Sequence, residues 1–115
     1  MLDYFINSGY YSNHPMNVYE DQENLYIELR AVGVKKENLS VKFENGILEI
    51  NTTQEKDEEK PKYIRQEFRE DRYLGTKLEI PYEIDSEKIE AILKFGILKI
   101  KLPKDQTSSK MIEVK

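Results

Sequence analysis

Between Asn17 and Pro103 apolar side chains recur at every second position in short runs, each stopping at glycine, proline, asparagine or aspartate. A period of two puts alternate side chains on one face of an extended chain, so this stretch predicts half-buried β-strands. From Leu25 to Ala31 the odd positions are apolar and the even ones mostly polar, which buries one face. Leu39, Val41 and Phe43 alternate with Ser40 and Lys42, and Leu48 and Ile50 follow Asn45-Gly46. That dipeptide readily takes the two positive φ angles of a tight hairpin turn, so these two runs are expected to pair. Leu74, Thr76, Leu78 and Ile80 are expected to share a face of another strand, closed by Pro81, and Leu98, Ile100 and Leu102 do the same before Pro103. Proline ends a strand because it withholds a ladder donor.

One stretch fits two periods. Glu87, Lys88, Glu90, Ala91 and Leu93 are good helix formers, and Ile89, Ile92 and Leu93 would share a helical face. An isolated helix this short is marginal, and Ile89, Ala91 and Leu93 also fit a period of two, so Ser86 to Lys94 is read as strand. Phe43 to Ile50 echoes Leu93 to Ile100, each a strand, a glycine turn and a strand. Two hairpins under the same steric demand account for the echo without a duplication.

At 115 residues there is room for one domain and not for two independent cores. Apolar residues make up 38% and charged residues 35%, so the core is thin and association is an expected source of stability. No cysteine is present, which excludes a disulfide framework, a thiol nucleophile and the common structural zinc sites. The formal charge of −4, without a block of lysine and arginine, argues against nucleic acid as a partner. No apolar run approaches the roughly 20 residues that span a bilayer, and Met1 to Tyr11 does not read as a secretory leader. A soluble, cytoplasmic protein without membrane partners is expected. Three zones follow: an arm over 1–16, a β-domain over 17–103 and a polar extension over 104–115.

The order of the β-segments resembles the small heat-shock protein, or alpha-crystallin domain, family. The most specific piece is Ala91-Ile92-Leu93-Lys94-Phe95-Gly96-Ile97-Leu98-Lys99-Ile100-Lys101-Leu102-Pro103-Lys104, which looks like that family's alanine, glycine-apolar-leucine and Leu-Pro-Lys signature. Val32 to Leu39, Asn45 to Ile50, and Ile80-Pro81 followed by Ile84-Asp85 support it in order and spacing. Two positions depart from the family. Phe95 stands where Asn or Asp usually precedes the signature glycine, which leaves open whether the last hairpin turns differently and puts an exposed aromatic ring there. Thr76 and Lys77 stand where many members carry an arginine, so no dimer ion pair is carried over.

The resemblance implies an all-β, two-sheet immunoglobulin-like β-sandwich with a short N-terminal arm and a C-terminal extension. It also implies that the loop containing Gln54 to Lys62 carries a short strand, at Tyr63-Ile64-Arg65, which pairs with the sheet of a partner subunit. In the extension, Ile112 and Val114 flank Glu113, so in an extended segment both aliphatic side chains point the same way. Taken alone, that pattern fits a last strand of the same domain or an unattached end as well as an anchor. The segments upstream favour the anchor: it resembles the family's Ile-x-Ile or Ile-x-Val motif, which docks in a groove between edge strands of a neighbouring subunit. By position that groove would be lined by Leu39 and Val41 on one side and by Ala91 and Leu93 on the other. Lys104 to Met111 reaches at most about 28 Å, enough to leave one subunit and touch another.

Catalytic chemistry has few candidates. His14, the single histidine, sits in the arm beside Pro15 and is read as a surface residue. Glu55, Asp57, Glu58 and Glu59 lie among lysines in a solvated loop, no calcium-loop spacing occurs, and the five glycines form no phosphate-cradling loop. No catalytic residue, metal or cofactor is therefore assigned. In the arm, Leu2, Tyr4, Phe5, Ile6, Tyr10 and Tyr11 either pack under the sandwich or against another subunit, or, as the resemblance implies, offer apolar surface to unfolded clients. The expected function is that of an ATP-independent holdase chaperone, assembling from dimers into a larger homo-oligomer. The alternative is a non-catalytic co-chaperone or scaffold module that binds a folded partner; a hydrolase with paired carboxylates is weaker.

Overall fold

Seven strands in two antiparallel sheets make up the computed structural model, which describes residues 15–53, 61–105 and 112–115. They are β1 (Met16–Glu20), β2 (Asn24–Arg30), β3 (Leu39–Glu44), β4 (Ile47–Thr52), β5 (Thr76–Glu79), β6 (Glu90–Lys94) and β7 (Ile97–Pro103). One sheet runs β1-β2-β7-β6 and the other β3-β4-β5. The arm residues Leu2, Tyr4, Phe5, Ile6, Tyr10 and Tyr11, together with His14, Gln54 to Lys60 and Gln106 to Met111, lie outside the described residues.

The alternation read in the sequence places the core. Leu25, Ile27 and Leu29 of β2 stand opposite Leu102, Ile100 and Leu98 of β7, and all six are buried. Leu48 and Ile50 of β4 and Leu78 of β5 come from the other sheet, so both inner faces share one apolar cluster and the fold is a two-sheet sandwich. Burying eight or so such side chains at roughly 1.5–3 kcal/mol each is the main term holding the sheets together.

Both glycine turns adopt one conformation. Asn45 and Gly46 have φ 54° and 77°, and Phe95 and Gly96 have φ 53° and 73°, the two positive angles of a type I′ hairpin. Phe95 therefore leaves the last hairpin unaltered: register between β6 and β7 imposes the left-handed conformation, and Phe95 accepts it although asparagine tolerates it better. The expected exposed ring is present.

Two expectations are corrected. Ser86–Lys88 is a 3-10 turn and not strand, with the Lys88 amide donating to the Asp85 carbonyl. Here the chain crosses from the three-stranded to the four-stranded sheet, a corner that a continuous strand cannot take, and strand resumes at Glu90. Leu74 does not share the face of Leu78; it is exposed, and Tyr73 is buried in its place. Gly75, at φ 63°, shifts the alternation by one residue between Tyr73 and Thr76.

Tyr73 donates its hydroxyl to the Arg30 carbonyl, and burial followed by the charge of Asp71 pushes its phenol up to about 12. Tyr82 donates to the Glu20 carboxylate, and that bond, ahead of burial, also pushes its phenol up to about 12. A phenol whose folded pKa exceeds its unfolded value contributes stability present below the unfolded value, near 10, and lost as pH rises to 12. The urea midpoint is accordingly expected to fall between pH 10 and 12, and the Tyr73→Phe and Tyr82→Phe variants to show a shallower fall, each against its own value at pH 8.

Candidate functional site

Strands at the margin of a sheet leave one row of backbone donors and acceptors open, and those rows are natural pairing surfaces. β3 closes one side of the three-stranded sheet, while β6 and β1 close the two sides of the other. On β3, Leu39 and Val41 point inward with Phe43 and are half-buried against the core, whereas Ser40 and Lys42 are exposed. On β6, Ala91 and Leu93 stand opposite Ile100 and Leu98 and so share the inner face; Leu93 is half-buried and Ala91 exposed. Each margin thus carries aliphatic side chains that the domain's own residues only partly cover.

Ile112 and Val114 are 83% and 93% exposed. The segment leading to them starts from a fixed point. Leu102 is buried, the Lys104 amide donates to the Glu23 carbonyl at 2.8 Å, and the Asp105 amide donates to the Glu83 carbonyl at 2.8 Å. The Lys104 ammonium donates to the Asp21 carbonyl at 2.8 Å, sits 3.7 Å from the Glu20 carboxylate and lies 4.5 Å above the Tyr82 ring. Asp21 organises that corner in turn. Its carboxylate accepts the Asn24 and Glu23 amides and the Tyr26 hydroxyl, and these bonds, the Asn24 amide first, hold it below the usual carboxylate range. The reach available to Ile112 is therefore counted from Asp105, about 24 Å at full extension, which is shorter than the sequence alone implies.

Tyr63, Ile64 and Arg65 lie in an irregular stretch, with a bend at Ile64, that joins neither sheet. Tyr63 and Ile64 are exposed and Arg65 pairs with Glu67 at 3.1 Å. Sequence reasoning missed the root of this stretch. Asp71 is 6% exposed; its carboxylate accepts Arg30 Nε at 3.2 Å, Arg30 Nη2 at 3.0 Å and the Val32 amide at 2.8 Å, while its own amide donates to the Val32 carbonyl. That pair raises the Arg30 guanidinium above its ordinary value. Two residues on, the Tyr73 amide donates to Thr52 Oγ1 and its carbonyl accepts the Thr52 amide. The stretch is thus tied to β2 and to the end of β4. No local pattern announces this, since Arg30 and Asp71 are 41 residues apart and Asp71 sits among charges that read as solvated.

Among the described residues no group of three His, Cys, Asp or Glu side chains converges on a point where a metal ion could sit. Among the same residues no helix is long and apolar enough to cross a membrane.

Residues 17–115 match the model of the Hsp20/alpha crystallin family. The chain belongs to that family. Small heat shock protein C4 of Rickettsia felis is 29% identical over 102 residues, covering 85% of this chain and 61% of the relative. The chloroplastic small heat shock protein of Solanum lycopersicum is 30% identical over 103 residues, covering 87% of this chain and 42% of the relative. The chain therefore spans less than two thirds of the length of either. Among solved structures, heat shock protein 16.0 of Schizosaccharomyces pombe superposes with a TM-score of 0.66 at 27% identity, covering 89% of this chain and 75% of that one. Membership in the Hsp20/alpha crystallin family accords with the resemblance carried by Ala91 to Lys104.

Proposed function

We propose that this chain is an ATP-independent holdase of the cytoplasm, built as an arm over 1–16, a sandwich over 17–103 and an extension over 104–115. The observation that carries this reading is the coexistence of two apolar, half-covered sheet margins with an exposed aliphatic pair on a tail rooted at Lys104. A catalytic reading has no comparable support. In assembly, Tyr63, Ile64 and Arg65 add as a strand to the open side of a partner's β1 and form a dimer. Ile112 and Val114 then seat between Leu39 and Val41 of β3 and Ala91 and Leu93 of β6 on another subunit. Each tooth contributes about 1.5–3 kcal/mol before ordering costs, so one anchor is weak and exchangeable while several hold an oligomer.

Clients enter through competition. Leu2, Tyr4, Phe5, Ile6, Tyr10 and Tyr11, with the vacated groove, offer apolar surface to a partially unfolded protein, which is held by mass action without chemistry. The net charge of −4 keeps the loaded complex soluble, and neither nucleic acid nor membrane is needed. Heating a thermolabile client with and without the full chain, and following light scattering without ATP, tests this. Suppression at subunit ratios near one is expected, with most of it lost on deleting residues 1–11. Full protection by the deleted chain would move client capture to the sandwich, and no protection by the full chain would end the holdase reading.

A further inference from the structure

Two type I′ turns of one conformation carry different residues at their first left-handed position: Asn45 in one and Phe95 in the other. Asparagine suits that conformation because its short polar side chain bonds locally; a phenylalanine there gains nothing locally and holds its ring in water. Phe95 is 91% exposed, and the contact of its ring is the Lys94 ammonium 5.3 Å above it. The ring has company. Ile97 and Ile92 project from the outer face of β7 and β6, diagonal to each other across the ladder, and both are exposed. Val32 is half exposed and lies against the same turn: a Cβ placed on Gly96 would stand 3.4 Å from it, and the Ala31 amide donates to the Gly96 carbonyl at 2.7 Å. Val32, Ile92, Phe95 and Ile97 thus gather on the outside of the four-stranded sheet, away from the β3 and β6 inner margins, in a patch that also holds Lys94 and Arg30 on either side of Ile97 and Lys99 opposite Ile92.

We infer that this patch is the docking site for the chain's own N-terminal segment, residues 2–11. The register says where that segment enters. Met16 pairs with Leu29, Leu29 with Leu98 and Leu98 with Leu93, so β1 begins in the same row of the sheet as the Phe95 turn. Three strand spacings, about 14 Å, separate the start of β1 from β6. Fourteen residues precede Pro15 and span up to about 48 Å when extended, so the segment reaches the patch with slack to spare. Its chemistry fits. Leu2, Tyr4, Phe5, Ile6, Tyr10 and Tyr11 supply aromatic and aliphatic surface, and Asp3, its one charged side chain, is of opposite sign to Lys94, which lies within the patch between Ile92, Phe95 and Ile97. Attachment to the same molecule makes the encounter intramolecular, at an effective concentration in the millimolar range that a free client must exceed. Docked, the segment covers both apolar surfaces at once; that it is thereby withheld from clients rests on the holdase reading above.

The test uses the full chain and contains no client, so its outcome is independent of holdase activity. Phe95→Asn restores the residue that the sister turn carries and is expected to fold. Chymotryptic cleavage at Tyr10 and Tyr11 is then expected to run about tenfold faster than in the parent chain, because cleavage follows the population of the released segment. Equal cleavage rates would overturn the proposal. A photoreactive benzoylphenylalanine at position 95, in mixtures of isotopically light and heavy subunits, is expected to cross-link to residues 2–11 of its own chain. Cross-links to another segment, or between light and heavy chains, would overturn it as well.

Discussion

Replacing Ile112 and Val114 together by alanine is expected to reduce the native mass of the assembly to that of dimers while leaving the fold of each subunit unchanged. The two truncations remove about five methylene equivalents of apolar surface, worth on the order of 4 kcal/mol for each seated anchor. That is roughly a thousandfold in the affinity of one anchor for one groove. Because an oligomer is held by several such contacts in parallel, the losses compound rather than average. The domain itself has nothing to lose, since both side chains are almost fully exposed and neither belongs to the core. Sedimentation velocity should therefore report a lighter particle at an unchanged urea midpoint. An unchanged mass would remove the anchor, and a lowered midpoint would mean that Ile112 and Val114 serve their own domain.

How far such an experiment could be designed from sequence alone differs between parts of the molecule. β2, β4 and β7 were legible because strands flanked on both sides must bury alternate residues completely: Leu25, Ile27 and Leu29 could not be shifted by one position without exposing all three. The Asn45-Gly46 hairpin was legible because few dipeptides satisfy two positive φ angles. Ser86–Lys88 was not, since both helix and strand patterns ignore the sheet-to-sheet corner that the chain must turn there. Leu74 was misplaced because a single glycine resets the alternation, and a period count running through Gly75 cannot register the reset. At the candidate site the gap is wider. That β3 and β6 are margins depends on strand order, which is a long-range property; Leu39, Val41, Ala91 and Leu93 could be named as lining a groove only through family resemblance. Asp71 was invisible for the same reason, because its partners on β2 lie far away in sequence.

Asp71→Ala is expected to destabilise the domain by about 2–3 kcal/mol and to weaken dimers as well. Asp71 is buried and accepts three N–H donors from Arg30 and Val32, so alanine removes charge-assisted bonds and leaves the Val32 amide without its acceptor. Half of the Arg30 side chain is in contact with solvent, so its guanidinium rehydrates, which keeps the loss below that of a fully buried pair. Asp71→Asn should cost less, because an amide oxygen can still accept from Val32 while the charge on the guanidinium goes unmatched. If the two side chains act as one unit, Arg30→Ala combined with Asp71→Ala should cost clearly less than the sum of the single changes in urea denaturation. The effect on assembly follows from position. Asp71 and Tyr73 fix the base of the stretch that presents Tyr63, Ile64 and Arg65, so losing the tie raises the entropy that a partner must freeze when it takes that segment as a strand. Dilution of Asp71→Asn, a variant stable enough to remain folded, should then release monomers at higher concentration than the parent chain does. Dimers that resist dilution as before would show that the stretch is positioned by the partner alone.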